Sequence, residues 1–248
     1  MPVLQRPDVE IHYREYGSGF PILLFAPGGL RSRMEMWHSP PGTPHKSWND
    51  WTEVLASTYR VVAMDQRNAG ASRGAIRANH GWHTYAGDHI ALMDHLGHKR
   101  FHVLGGCIGA SYCLSLCELA PERLGAAVLQ NPIGVDPGSP DYFPESHIEW
   151  SAEQRAVRPD LDPAALGSFG RNMWGPGFAF SVSRDFCRTC PVPTMLLPGT
   201  DTPHPKATSD ELAELLPGVD ILTDWKGPAH LDVQRTRVLG FLGKHTPH

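Results

Sequence analysis

Apolar runs of strand length alternate with segments of helical periodicity through most of the chain. That alternation predicts a mostly parallel sheet covered on both faces. Val9 to Tyr16 reads as an early strand closed by Gly17-Ser18-Gly19, and Ile22 to Ala26 as a buried strand ending at Pro27-Gly28-Gly29. A long loop rich in proline and tryptophan follows, from Leu30 to about Lys46. Trp48 to Thr58 looks helical, and Arg60 to Met64 is another apolar strand that runs into the turn cluster Asp65 to Ser72. His83 to Leu96 places Ala86, Ile90 and Met93 on one helical face, with Gly97 near its end. Phe101 to Leu104 is a short apolar run. After it Ala110, Cys113, Leu114 and Cys117 recur at helical spacing until Pro121, and Ala126 to Gln130 is a further strand.

From Pro132 to Cys190 the alternation stops, and proline, glycine and aromatic residues become dense. The segment is too long for a simple connection and too aromatic for disorder, so it reads as an insertion packed over the C-terminal edge of the sheet. Order of the sheet type resumes with Thr194 to Leu197, a helix near Asp210 to Leu216, a strand from Val219 to Trp225 and a last helix from around Leu231. The expected fold is α/β, a doubly wound sheet whose core is residues 1–131 and 191–248, with a cap or lid at 132–190.

Composition narrows the class. At 248 residues the chain can bury the core of one large α/β domain. A net charge of −4 without a basic cluster gives no pull toward nucleic acid or an anionic membrane. No apolar run is long enough to span a bilayer, and Met1 to Arg6 lacks the apolar stretch of a signal peptide, so a cytoplasmic protein is expected. The 5 cysteines are an odd number with no disulfide-framework spacing. Cys113 and Cys117 read as core packing. Cys187-Arg188-Thr189-Cys190 has redox and half-zinc-site readings, but no second paired-ligand motif supports them, and it is taken as structural. The histidine pairs His80/His83 and His95/His98 lack a completing carboxylate or cysteine, so no metal is expected, and no cofactor is implied.

Chemistry concentrates at Gly105-Gly106-Cys107-Ile108-Gly109-Ala110. A small-x-nucleophile-x-small pattern between a strand and a helix describes a sharp elbow, whose cramped backbone needs the flanking glycines. Cys107 would then stand at a helix N-terminus, where the dipole and unpaired N–H groups favour a thiolate. The plainer alternative is a glycine-rich strand end beside a structural thiol. A thiol nucleophile requires a base, and the base requires an orienting group, all at one sheet edge. Loops after strand C-termini share that edge. They carry Gly28-Gly29, Asp201 and His230, and the order Cys107, Asp201, His230 is nucleophile, acid, base. Thr202 is one residue further along than Asp201; Asn131 and Asp136 follow the preceding strand. His204, three residues after Asp201, falls either against the site or on loop surface.

These residues together resemble the α/β-hydrolase fold over nearly the full chain. The elbow is similar to G-x-[SC]-x-G. Asp65 to Ser72 resembles the D-x-R-x-x-G-x-S turn, with Asn68 where glycine is usual, and Gly28-Gly29 the oxyanion loop, with Pro27 where histidine is often found. His230 precedes the last helix as the family's base does. Cysteine in the elbow is similar to dienelactone-hydrolase-like members. The family's acid falls at Thr202, so Asp201 requires a loop shorter by one residue.

The resemblance implies a Cys107–His230–Asp201 triad, an oxyanion hole formed by the N–H groups of Gly29 and Ile108, and hydrolysis of an activated ester, lactone or thioester through an acyl-enzyme. An acyltransferase using the same triad is the alternative, and a non-catalytic ligand-binding member of the fold the third reading. Arg31 is either a clamp for a substrate carboxylate or a solvated cation, and Trp37 and Trp174 either wall the pocket or pack the protein interior. The expected partner is a small-molecule acyl substrate, with no nucleic acid and no membrane, and homo-oligomerisation left open.

Overall fold

The computed structural model describes residues 1–38 and 48–247. Among them a nine-stranded sheet has the order β1-β2-β4-β3-β6-β7-β8-β9, with a short β5 beside β2. The strands are β1 (Val3–Arg6), β2 (Val9–Tyr16), β3 (Pro21–Phe25), β4 (Arg60–Met64), β5 (Arg73–Gly74), β6 (Phe101–Gly106), β7 (Leu124–Gln130), β8 (Thr194–Leu197) and β9 (Asp220–Ile221). Pairing is antiparallel from β1 through β2 to β4 and parallel from β4 to β9. Every residue of β6 and β7 is buried, as expected of central parallel strands covered on both faces.

Helices α2 (Trp82–His95), α3 (Ile108–Leu119) and α7 (Lys206–Leu215) contribute to one apolar cluster. Helices α1 (Trp51–Ala56) and α8 (Leu231–His245) contribute to a second, with Trp37, Trp51 and Trp225 at its centre. Residues 132–190 contain α4 (Tyr142–Val157), α5 (Pro163–Trp174) and α6 (Arg184–Thr189). Their apolar side chains, among them Phe143, Trp150, Phe169 and Met173, join the first cluster rather than forming a core of their own. The Trp82 indole N–H donates to the Met173 carbonyl at 2.9 Å and fastens α5 to α2.

The order of the strands reverses where β3 lies between β4 and β6, and a crevice forms beyond the C-terminal ends of β3 and β6. The loop at Gly28-Gly29 leaves β3 there and Cys107 leaves β6. A turn at Asp65 holds the β3 loop in place. Its carboxylate accepts from the Met34 N–H at 3.0 Å and the Ala71 N–H at 2.7 Å. Asn68 adopts the left-handed conformation, φ 62°, and its side chain accepts from the Gly74 N–H at 2.9 Å. A short polar side chain thus replaces the expected glycine.

The strand expected from Val219 to Trp225 is only Asp220–Ile221. Beyond it the chain leaves the sheet edge because Trp225 turns into the second cluster and donates from Nε1 to the Pro198 carbonyl at 2.9 Å. Short strands β1 and β5 were not anticipated. Of the long loop expected from Leu30 to about Lys46, residues 39–46 lie outside the described residues; the rest forms 3-10 turns at Gly29–Arg31 and Met34–Trp37. No described helix is long and apolar enough to cross a membrane.

Candidate active site

The turn at Cys107 is strained. Its φ of 59° and ψ of −122° lie in a region that side chains rarely occupy. Two hydrogen bonds hold it there: the Cys107 N–H donates to the Gln130 carbonyl and the Ala110 N–H to the Cys107 carbonyl, each at 3.0 Å. The glycines on either side permit close approach of α3 to the sheet. A Cβ on Gly105 would stand 2.1 Å from the Gly109 carbonyl oxygen, and one on Gly109 would stand 2.3 Å from that of Phe25. A side chain at either position would push α3 off β6 and β3.

The half-buried Cys107 thiol meets His204. His204 Nδ1 is hydrogen-bonded to the Asp201 carboxylate, whose other oxygen is 3.4 Å from Lys226 Nζ. The far nitrogen, Nε2, is buried without a partner of regular hydrogen-bond geometry, yet it is close enough to the thiol for each group to shift the other. Burial alone would raise the Cys107 thiol. The His204 imidazole, with the Gly28 and Ile108 backbone groups, outweighs it and holds the thiol below its ordinary value. Burial alone would lower His204, and Cys107 and Asp201 together raise it instead. Asp201 is held down despite its own burial, by His204 and then Lys226. The three shifts have the signs of a thiolate–imidazolium–carboxylate chain.

A cavity of about 280 Å³ opens over the thiol. Gly28, Gly29 and Arg31 form one side, His204 another, and Phe143 with Trp174 an aromatic wall. The wall is a stacked pair with ring centroids 4.9 Å apart.

The model of the α/β hydrolase fold family matches residues 21–217. The chain belongs to that family. A putative carbamate hydrolase, RutD, of Caulobacter sp. (strain K31) is 34% identical over 84 residues, which are 34% of this chain and 31% of the relative. The 2-hydroxy-6-oxo-6-phenylhexa-2,4-dienoate hydrolase of Comamonas testosteroni is 27% identical over 132 residues, 52% of this chain and 42% of the relative. The matched region thus spans less than half the length of these curated relatives. Among solved structures, the enol-lactonase from Burkholderia xenovorans LB400 superposes with a TM-score of 0.71 over 98% of this chain and 100% of that one, at 19% identity. That likeness is one of fold.

In this α/β-hydrolase the residues expected at the site do not all converge. Cys107 and Asp201 are linked through His204, not through His230. His230 ends the 3-10 turn Pro228–His230 against the start of α8 and does not line the cavity. Beyond the short β9, Trp225 packs into the second cluster and the chain turns at Gly227 into α8, with Lys226 rather than His230 reaching Asp201. Of the expected oxyanion donors, the Ile108 backbone faces the sulfur together with that of Gly28, and Gly29 lines the cavity beside them.

Trp174 lines the cavity, whereas Trp37 does not. Trp37 is 1% exposed within the second cluster and packs beneath Gly106, where an added Cβ would lie 3.0 Å from its ring. Arg31 lines the cavity with its guanidinium already occupied by Glu153 of α4, through Nε and Nη2 at 2.9 Å each. Sequence reading did not single out His147, which also lines the cavity and bonds the Leu166 carbonyl through Nε2 at 2.9 Å. Among the described residues, His38, Asp50 and Glu53 bring ligand atoms close enough for an ion. Asp50 also serves there as the N-cap of α1, accepting from the Thr52 N–H at 3.0 Å.

Proposed function

We propose that this α/β-hydrolase cleaves a small activated ester, lactone or thioester through an acyl-enzyme on Cys107. His204 serves as the base and Asp201 as its orienting acid. The observation that carries this reading is the single imidazole set between the thiol and a carboxylate, with all three groups shifted toward their charged forms. The hydrolase names of the relatives support hydrolysis as the reaction class.

The thiolate attacks the acyl carbon. The developing oxyanion is taken by backbone N–H groups of Ile108 and the Gly28-Gly29 loop, and a donor of this kind is typically worth on the order of 3 kcal/mol of barrier. The leaving group departs with the proton from His204. His204 then draws a proton from water, which attacks the thioester and frees the thiol. Because a thiolate is itself a good leaving group, the tetrahedral intermediate goes forward only when the other group leaves at least as readily. That favours enol esters, lactones, aryl esters and thioesters over amides. The cavity of about 280 Å³ limits the acyl part to a small group that can lie against Phe143 and Trp174.

The test is a panel of such substrates followed by intact-protein mass spectrometry. A transient adduct of acyl mass on the wild type, absent from Cys107→Ala along with turnover, is the expected result. Turnover that survives in Cys107→Ala refutes the reading.

A further inference from the structure

Four of the 5 cysteines have no part in the reaction proposed above. Cys113 and Cys117 lie one turn apart on α3, and Cys187 and Cys190 lie on α6 and at its C-terminal end. All four are free, buried and packed in the same apolar cluster. The fold therefore sets a pair from the nucleophile-bearing helix against the C-x-x-C that precedes β8. Within the cluster, the Cys117 and Cys190 thiols lie close enough for each to shift the other, and Cys190 Sγ also faces the Val192 carbonyl at 3.8 Å. The four sulfurs do not form a metal cage, because among the described residues only His38, Asp50 and Glu53 gather three ligand atoms closely enough for an ion.

Cys190 also has a route to solvent. It is 5% exposed and lines a cavity of about 510 Å³ with Thr194, Asp220, Arg237, Lys244 and His245. Thr194 begins β8, so this cavity lies at the N-terminal end of the strand, away from the crevice that holds Cys107. The cavity brings solvent up to Cys190, whereas Cys117 is fully buried and does not line it.

We propose that Cys117 and Cys190 are an oxidisable dithiol, a modification site at which a hydroperoxide entering from this cavity is reduced and a disulfide forms. Cys190 is the attacking thiol. Cys117 beside it holds the Cys190 thiol below its ordinary value, while Cys190 and burial push Cys117 up. The Cys190 sulfur attacks one peroxide oxygen, the O–O bond breaks, and the second oxygen leaves as water, or as an alcohol from an alkyl hydroperoxide. Cys190 is then a sulfenic acid. Cys117 attacks that sulfur, the S–S bond forms, and the sulfenic oxygen leaves as a second water. Two thiols supply the two electrons that the peroxide accepts. The product ties α3, whose N-cap is Cys107, to the residues entering β8, whose far end leads to Asp201 and His204.

The full chain is treated with hydrogen peroxide, remaining thiols are alkylated under denaturing conditions, and unreduced peptides are mapped by mass spectrometry. The expected product is a Cys117–Cys190 linked peptide that dithiothreitol abolishes. It forms equally in Cys107→Ala, which separates this outcome from that of the proposed hydrolysis. In Cys117→Ala the reaction stops at Cys190 as a sulfenic acid that dimedone captures. The wild-type map alone is decisive. Cys117 and Cys190 that both stay alkylatable after peroxide has consumed Cys107, or a disulfide joining Cys187 to Cys190, overturns the proposal.

Discussion

Asp201 and His204 are joined through their backbones as well as their side chains. The Asp201 N–H donates to the His204 carbonyl at 3.2 Å and the His204 N–H to the Asp201 carbonyl at 2.9 Å, while Nδ1 bonds the carboxylate. The proposed acid and base therefore belong to one tight turn after β8, and their mutual geometry does not depend on where the final helix begins. Fixing both groups in a single turn pre-organises the base without recruiting a second loop.

The two histidines make opposite predictions. His204→Gln removes the imidazole that touches the thiol, and kcat/KM is expected to fall by about 10²- to 10⁴-fold, the usual worth of a positioned general base. His230→Gln is expected to leave both kinetic parameters near wild type, since its ring lies outside the cavity. Steady-state kinetics on the best substrate of the panel decides between them. A loss confined to His230→Gln would return the base to the loop before α8.

The same turn governs the pH dependence of the thiol. Burial opposes ionisation of Cys107, but His204 and the Gly28 and Ile108 backbone overcome it, so the thiolate persists below the ordinary range of a cysteine. Alkylation by iodoacetamide follows the thiolate. Its rate at Cys107 should reach a plateau at lower pH than that of free cysteine. Asp201→Asn removes one of the charges that raise His204. With less imidazolium beside the sulfur, the alkylation curve should move to higher pH. Wild-type and Asp201→Asn curves that both overlay free cysteine would show that the pair is not charged.

The parts legible in sequence were those written in local pattern. The apolar runs of β3, β4, β6 and β8 and the glycines around Cys107 declare themselves because neighbouring residues alone determine burial and backbone freedom there. His230 misled because a histidine before the last helix implies a loop that reaches the crevice. Whether it reaches depends on the length of β9 and on the burial of Trp225, both of which are tertiary properties. The signal for His204 was present in the spacing Asp201-x-x-His204, flanked by Pro203 and Pro205, but only the bridged turn turns that spacing into a contact. Trp37 misled similarly: proximity in sequence to Gly29 does not say on which side of the sheet a side chain lies.

Arg67 and Asp88 make a stability prediction. The guanidinium grips the carboxylate through Nε at 2.8 Å and Nη2 at 2.9 Å, with side chains only 4% and 1% exposed. Burial by itself drives the Asp88 carboxyl upward, and Arg67 is the chief group opposing it. Arg67→Met leaves that carboxylate with Arg6 alone, which donates to Oδ1 at 2.7 Å from a partly exposed side chain, so the loss should lie at the lower end of the about 3–5 kcal/mol typical of removing one partner of a buried pair. Urea unfolding should record a loss of that size, and the double variant Arg67→Met/Asp88→Leu should lose much less. Equal losses in both variants would mean that packing, not charge, carries the effect.

Arg31 on the cavity wall is paired with Glu153 of α4. A guanidinium on the cavity wall invites a substrate carboxylate, but its planar fork is already filled by Glu153, and Glu149 adds negative charge beside it. The pair is exposed enough that its contribution to stability is about 0–1 kcal/mol, so breaking it should barely alter unfolding. Its effect on selectivity is larger, because a hydrogen bond to a charged partner is worth about 1.5–3 kcal/mol. Glu153→Gln leaves Arg31 in place without its competing carboxylate. The ratio of kcat/KM for a carboxylate-bearing acyl substrate to that for its neutral analogue should then rise about tenfold or more, by the same hydrogen-bond energy. Arg31→Gln in that background should abolish the gain. A ratio that does not change in Glu153→Gln would place Arg31 outside substrate recognition and leave it only as a tether of α4 to the loop after β3.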